Sequence, residues 1–359
     1  MFLAILIAFI SLMGLLVLHE FGHFILAKKF GVRVEEFGIG YPPRIFGKKI
    51  GETVYSVNLL PFGAFVKLPG EIGKADDPHS FSRQSIPKRA LVILGGVFSF
   101  WLMAIILFSI VFNLGAPVAI GDDVNSNLVN PRVQIAAISA DSPAKAAGLK
   151  PGDTIKQLTI NNQQVIINKV KEIQDLTQQH KGQELVLTIE RGKEVFDVKL
   201  IPRVSPPSGE GPLGVALVRT AIKSYPWYQA PWQGIVSTVN LTGAVIQGYG
   251  EAIKNLIARK PTGVELVGPV GVFSLFTQVS QLGVSYFLQF VGMIAIYIAI
   301  FNVLPIPAVD GGKLLFLGIE AIRKKPISEK VEQNVTAVFF ALLLMMMIWV
   351  TIKDVSKLF

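Results

Sequence analysis

The chain of 359 residues contains no cysteine, which excludes disulfide frameworks and thiolate-held zinc or iron–sulfur centres and leaves histidine and carboxylates as the strong metal ligands. Charge is also scarce. Asp, Glu, Lys and Arg make up 16% of the residues and apolar types 51%, against about a quarter charged in an ordinary soluble domain. That deficit excludes a plain soluble enzyme. Histidine occurs only four times, so each one is informative. The net charge of +9 reads, in a chain this apolar, as basic cytoplasmic loops of a membrane protein, and no nucleic-acid partner is expected.

The apolar residues are concentrated in blocks. Residues 2–27, 91–114, 284–304 and 335–352 are each long and apolar enough to cross about 30 Å of hydrocarbon at 1.5 Å per residue, whereas 115–230 reads like a soluble sequence. The first block lacks a basic leading region and a clear small-residue cleavage site, so it is expected to be a retained span. Lys28, Lys29, Arg33, Arg44, Lys48, Lys49, Lys67, Arg83, Lys88 and Arg89 fill the loop 28–90, and Lys313, Arg323, Lys324, Lys325 and Lys330 fill 305–334. Both loops are expected to be cytoplasmic, with both termini and the central insert extracytoplasmic.

Within 28–90, Val54–Asn58 and Gly63–Leu68 have the pattern of short strands around Pro61, following Gly38-Ile39-Gly40. The apolar content of this β-hairpin region suggests that it enters the membrane, which requires protein or a wet cavity to satisfy its backbone. The expected fold is therefore a mainly α-helical membrane protein, with four transmembrane helices, a membrane-associated β-hairpin region and an inserted extracytoplasmic α+β domain.

The chemistry lies in His19-Glu20-Phe21-Gly22-His23, an H-E-x-x-H match inside the first span. On a helix the two imidazoles sit about 40° apart around the axis and about 6 Å apart along it, aimed at one ion. Glu20 is rotated about 100° from His19, which suits a general base better than a third ligand. The competing reading is a buried hydrogen-bonded cluster, but ionisable groups in a span are costly and usually functional. Catalytic zinc takes three protein ligands and an open position. Asp310, in Pro305-Ile306-Pro307-Ala308-Val309-Asp310-Gly311-Gly312 beside the cytoplasmic end of the third span, lies at a matching depth. Taken alone, Asp-Gly-Gly would be a turn.

The intramembrane H-E-F-G-H, the later N-x-x-P-x-P-x-x-D-G and the insert between the second and third spans together resemble a site-2 protease of the bacterial regulator of sigma-E protease type. The resemblance covers nearly the whole chain. It implies zinc held by His19, His23 and Asp310, Glu20 as catalytic base, and cleavage of a peptide bond in or near the transmembrane segment of single-span membrane proteins, such as anti-sigma factors or signal-peptide remnants. It also implies that Gly38 and Gly40 belong to a membrane-entering β-loop that helps unwind substrate, and that Asn302, Pro305 and Pro307 help position it. The site would lie towards the cytoplasmic side of a bacterial inner membrane. Val309 replaces the family's usual leucine, and Gly95-Gly96-Val97-Phe98-Ser99 lacks the proline and asparagine of the family's Gly-Pro-x-x-Asn, so no role is assigned to that segment.

In the insert, Ser142-Pro143-Ala144-Lys145-Ala146-Ala147-Gly148-Leu149-Lys150-Pro151-Gly152-Asp153-Thr154-Ile155 is similar to a PDZ domain, expected over 125–205. Such a domain would bind an extended peptide or chain terminus as an added strand, acting as a peptide sensor or as a size filter. Gly211-Pro212-Leu213-Gly214-Val215 reads as a linker or as a carboxylate-binding loop, and 206–283 as an extracytoplasmic or interfacial segment whose Trp227, Tyr228 and Trp232 either face the membrane surface or pack in a core. Glu265-Leu266-Val267-Gly268-Pro269-Val270-Gly271 resembles a family signature of underived role. Two rival classes are a metal transporter or sensor, which would spread ligands along a pathway, and a non-catalytic PDZ scaffold, which has no use for Glu20.

Overall fold

The computed structural model describes residues 2–73, 77–124, 128–192, 194–207, 209–260, 262 and 266–356; Glu265 of the signature above and residues 125–127 at the start of the expected PDZ segment lie outside them. Four described helices are long and apolar enough to span a membrane: α1 (Phe2–Lys29), α2 (Ile86–Leu114), α7 (Val284–Val303) and α9 (Glu329–Ser356). Helix α2 begins five residues before the apolar run at Leu91, because Pro87 fits a first turn that needs no amide donor. Helix α7 stops at Val303, where Pro305 and Pro307 cannot continue the ladder, and α8 (Asp310–Arg323) starts afresh. Helices α5 (Ala230–Ile257) and α6 (Pro269–Gln281) complete the long helical segments.

The chain divides into two compact units. One comprises Met1–Ser109, Pro231–Phe276 and Phe290–Phe359; the other comprises Ile110–Ala230 and Thr277–Gln289.

In the first unit, β1 (Glu36–Ile50) and β2 (Thr53–Lys67) form one sheet that is larger than the hairpin the sequence suggests. Each strand bends, β1 after Tyr41 and β2 near Pro61, so four runs are arranged side by side. Residues 44–50 pair with 53–58, residues 36–39 lie against 54–57, and the other edge of 36–39 pairs with 64–67. Among the described residues, the run 64–67 therefore has strand pairing on one side only. A buried cluster of Ala27, Val34, Leu68, Phe81, Val92 and Leu317 joins the end of α1, the end of β2, α2 and α8.

The Gly-Pro-Val-Gly signature starts α6, whose Gly271 amide donates to Asp354 Oδ2 of α9 at 2.8 Å. A Cβ on Gly268 would collide with Asp354, and one on Gly271 would collide with Val267 and stand tight against Asp354. The motif thus lets a carboxylate from the last helix cap the start of α6.

The second unit holds a seven-stranded antiparallel sheet: β3 (Ala116–Ala119), β4 (Val129–Ile138), β5 (Thr154–Ile160), β6 (Gln163–Ile166), β7 (Leu185–Arg191), β8 (Glu194–Leu200) and β9 (Val215–Lys223). Its order is β3-β9-β4-β5-β7-β8, with β6 against β5. Two helices accompany it, α3 (Pro143–Ala146) and α4 (Val170–Gln179). The sheet does not stop near residue 205: β9 pairs with both β3 and β4, because its Val-Ala-Leu-Val-Arg-Thr-Ala-Ile alternation continues the pleat. Inward residues Val133, Ile135, Ile155, Leu158, Ile173, Leu185, Leu187 and Ile189 form its core. Trp227, Tyr228 and Trp232 are exposed, so the core alternative for these aromatics does not hold.

Candidate metal centre

Helix α1 places His19 and His23 one turn apart, as the i, i+4 spacing dictates. Asp310 enters from the first turn of α8. His19 Nε2 and His23 Nε2 are 3.2 Å apart, and Asp310 Oδ2 lies 3.2 Å from the first and 3.3 Å from the second. All three residues are buried. The near-equilateral triangle matches one face of a tetrahedron, since ligands bonded at about 2.0–2.1 Å stand about 3.3–3.4 Å apart.

The protonation pattern fits a cation as well. The Val92 carbonyl, 2.9 Å from His23 Nδ1, can only accept, so Nδ1 carries the proton and the Nε2 lone pair of the neutral ring is directed at Asp310 Oδ2. Two electron-rich atoms at this distance repel unless a cation lies between them, and Oδ2 is buried without a hydrogen-bond partner among the described residues. The residues present therefore fit a tetrahedral metal.

Glycines make the close approach possible. A Cβ on Gly96 of α2 would strike the rings of both His23 and His19, and Gly22 of α1 faces the Gly95 carbonyl. On α8, Gly311 and Gly312 lie against the backbone of Val303, Leu304, Ile306 and Pro307, which brings Asp310 down onto α1. Phe100 stacks on the His19 ring with centroids 4.8 Å apart, fixing its plane. None of Gly22, Gly95, Gly96 and Phe100 was singled out by the sequence reading. The signal was present, however, in paired small residues at the same depth in two spans.

Glu20 points into a cavity of about 220 Å³ that it shares with His23, Asp310, Tyr41, Ala64, Phe65, Val66 and Lys313. Gly38, Gly40, Asn302, Pro305 and Pro307 do not line this chamber. Gly38 packs against the Phe65 ring and Gly40, at φ +78°, against the Leu60 carbonyl, so both serve the crowded sheet. Asn302 Nδ2 donates to the Ile298 carbonyl of its own helix at 2.9 Å, and Pro305 and Pro307 shape the turn that delivers Asp310.

An H-E-x-x-H helix converging with a remote carboxylate is the arrangement of a metallopeptidase centre. Residues 7–346 match Peptidase family M50, and the chain belongs to that family. It is similar to the zinc metalloprotease RasP of Oceanobacillus iheyensis, 28% identical over 446 aligned residues, with 98% of this chain and 99% of the relative covered. It is also similar to RasP of Geobacillus kaustophilus, 28% identical over 438 residues with 98% of each covered. A Clostridium perfringens protein provisionally named a zinc metalloprotease is 32% identical over 354 residues, again covering 98% of each chain. With its four apolar helices, the protein is an integral membrane protein in a lipid environment.

Proposed function

We propose that this protein is an intramembrane zinc metalloprotease of the site-2 type, in which His19, His23 and Asp310 hold the zinc and Glu20 is the general base. The observation that carries this reading is the triangle of buried ligand atoms, two of whose residues, His23 and Asp310, line one chamber with Glu20. Family membership and the zinc metalloprotease relatives support zinc and proteolysis.

When bound, zinc would lower the pKa of a coordinated water towards about 7 and polarise a carbonyl. The chain's own residues do the rest. Glu20 accepts the water's proton and returns it to the leaving amine. Ala64, Phe65 and Val66 give the chamber a wall made of a sheet edge paired on one side only. A substrate helix hides its amides in its own hydrogen bonds, and adding it as a strand to that edge exchanges them for intermolecular ones while exposing the scissile bond. This assigns the substrate-unwinding role to residues 64–67, with Gly38 and Gly40 supporting them from the neighbouring run. The basic loops support a chamber towards the cytoplasmic face, with both termini and the insert extracytoplasmic, and in this reading the substrates are single-span membrane proteins.

The insert acts as a PDZ-type peptide binder. A groove of about 430 Å³ runs between α4, which contributes Ile173 and Thr177, and the segment Gly211–Leu217. There β9 pairs with β4 on one side while its partner β3 reaches only Thr220–Lys223, which supports strand addition along Val215–Leu217 and favours the loop reading of Gly211-Pro212-Leu213-Gly214-Val215 over a linker.

The test is zinc content and cleavage in Glu20→Gln. The variant should keep about one zinc per molecule and lose cleavage of a single-span reporter to background. A scaffold or transporter would tolerate it, and retained cleavage would sink the proposal.

A further inference from the structure

Lys313 follows Asp310 by three residues on α8, so both project from one face of the helix. Its ammonium pairs with the Glu71 carboxylate, 242 positions away in sequence and just past the end of β2. Protein surrounds the Lys313 side chain, yet 39% of it is open, because it borders two cavities. One is the chamber of Glu20 and the other a space of about 700 Å³ that also carries Arg89, Glu320, Glu329 and Glu332. Glu71 borders both as well, so the pair forms a charged part of the wall between them. Burial works against the charge on Lys313, but Glu71 and Asp310 hold its pKa above the usual lysine value.

The pair connects the end of β2 with the helix that carries Asp310. An apolar link runs beside it, with Leu68 in one cluster with Leu317, and such packing does not fix orientation along the strand. An ion pair between partly exposed partners is directional where packing is not, and removing one side leaves the other charge without its partner.

We propose that Lys313 and Glu71 are positioning residues for the hydrolysis: their ion pair ties the edge run Ala64–Lys67 to α8 and sets the placement of a substrate strand relative to Glu20 and the metal ligands. This rests on the proteolytic reading above. It assigns no proton transfer to Lys313. Misplacing a reacting bond by about 1 Å is enough to lower a rate by about 100-fold, so the tie acts on turnover more than on binding.

The experiment compares wild type with Glu71→Gln, Lys313→Met and Lys313→Arg in lipid nanodiscs, using a single-span Leu/Ala-rich reporter helix flanked by two fluorescent tags. Zinc per molecule and amide hydrogen exchange over residues 64–68 are measured on the same samples. Both charge-removing variants should keep their zinc, lose about 100-fold in kcat with KM changed less than about threefold, and exchange the 64–68 amides faster. Lys313→Arg keeps the pair and should recover most of kcat. Wild-type turnover and protection in Glu71→Gln would overturn the proposal, as would loss of zinc in either charge-removing variant. So would an inactive Lys313→Met beside an active Glu71→Gln, because Lys313 would then act as a lone charge. If wild type itself leaves the reporter intact, the proteolytic reading fails, and the exchange data still decide whether the tie exists.

Discussion

The two units are held together by different physics. In the insert, alternating apolar residues of antiparallel strands form one buried layer, with Leu185, Leu187 and Ile189 fully enclosed. Water supplies the drive there, since every methylene removed from it contributes about 0.8 kcal/mol. In the membrane unit the contacts that assemble the site are glycine against backbone and charge against charge: Gly22 on Gly95, Gly96 on two imidazoles, Arg89 in a bidentate pair with Glu320, Lys313 with Glu71. Lipid is as apolar as leucine, so apolar side chains cannot select one arrangement of spans; close approach and buried polar pairs can. The unit facing water is thus built from bulk, and the unit facing lipid from small residues and a few charges.

This contrast can be tested by substitution. The largest effect is expected for Asp310→Ala, which should take zinc content from about one per molecule to near zero and cleavage to background while leaving the insert's thermal transition in place. Next comes Gly96→Ala. One added methyl displaces both imidazoles, and we expect cleavage to fall about 100-fold with weakened zinc binding, a result no ordinary alanine in a span would give. In the insert the rule reverses: Leu187→Ala should lower the stability of that unit by about 2–5 kcal/mol in calorimetry and leave zinc content unchanged. Loss of zinc in this variant would mean the units are not energetically separate. The smallest effect is expected for Asp122→Ala. Asp122 accepts from the Val170 and Lys171 amides at 3.0 and 2.8 Å and so caps α4, and its removal should cost about 1 kcal/mol and lower the insert's transition by a few degrees.

Legibility from sequence follows the same division. The spans are readable because an apolar run of sufficient length has few other uses, and the His19–His23 pair because a helix converts local spacing into shared direction. The meeting of those imidazoles with Asp310 is a long-range event, suggested in the sequence only by depth and by resemblance. Gly96 went unassigned because it departs from the family's Gly-Pro-x-x-Asn, although the absence of a side chain is what admits the two rings. Residues 44–50 escaped notice as a strand because Lys48 and Lys49 interrupt the apolar alternation and Pro42-Pro43 suggests a turn. The pair Lys313–Glu71 left no local signal at all, since neither residue's neighbourhood specifies the other. The insert was more legible in kind than in extent, as β9 lies beyond a proline-rich stretch that reads as a boundary.

The separation of the ligand atoms along the chain has a consequence in time. Synthesis at about 5–20 residues per second puts roughly 15–60 s between the appearance of His23 and that of Asp310. Throughout that interval the nascent chain carries two of the proposed ligands and the proposed base without the third ligand. Only when the turn after α7 inserts does the centre close.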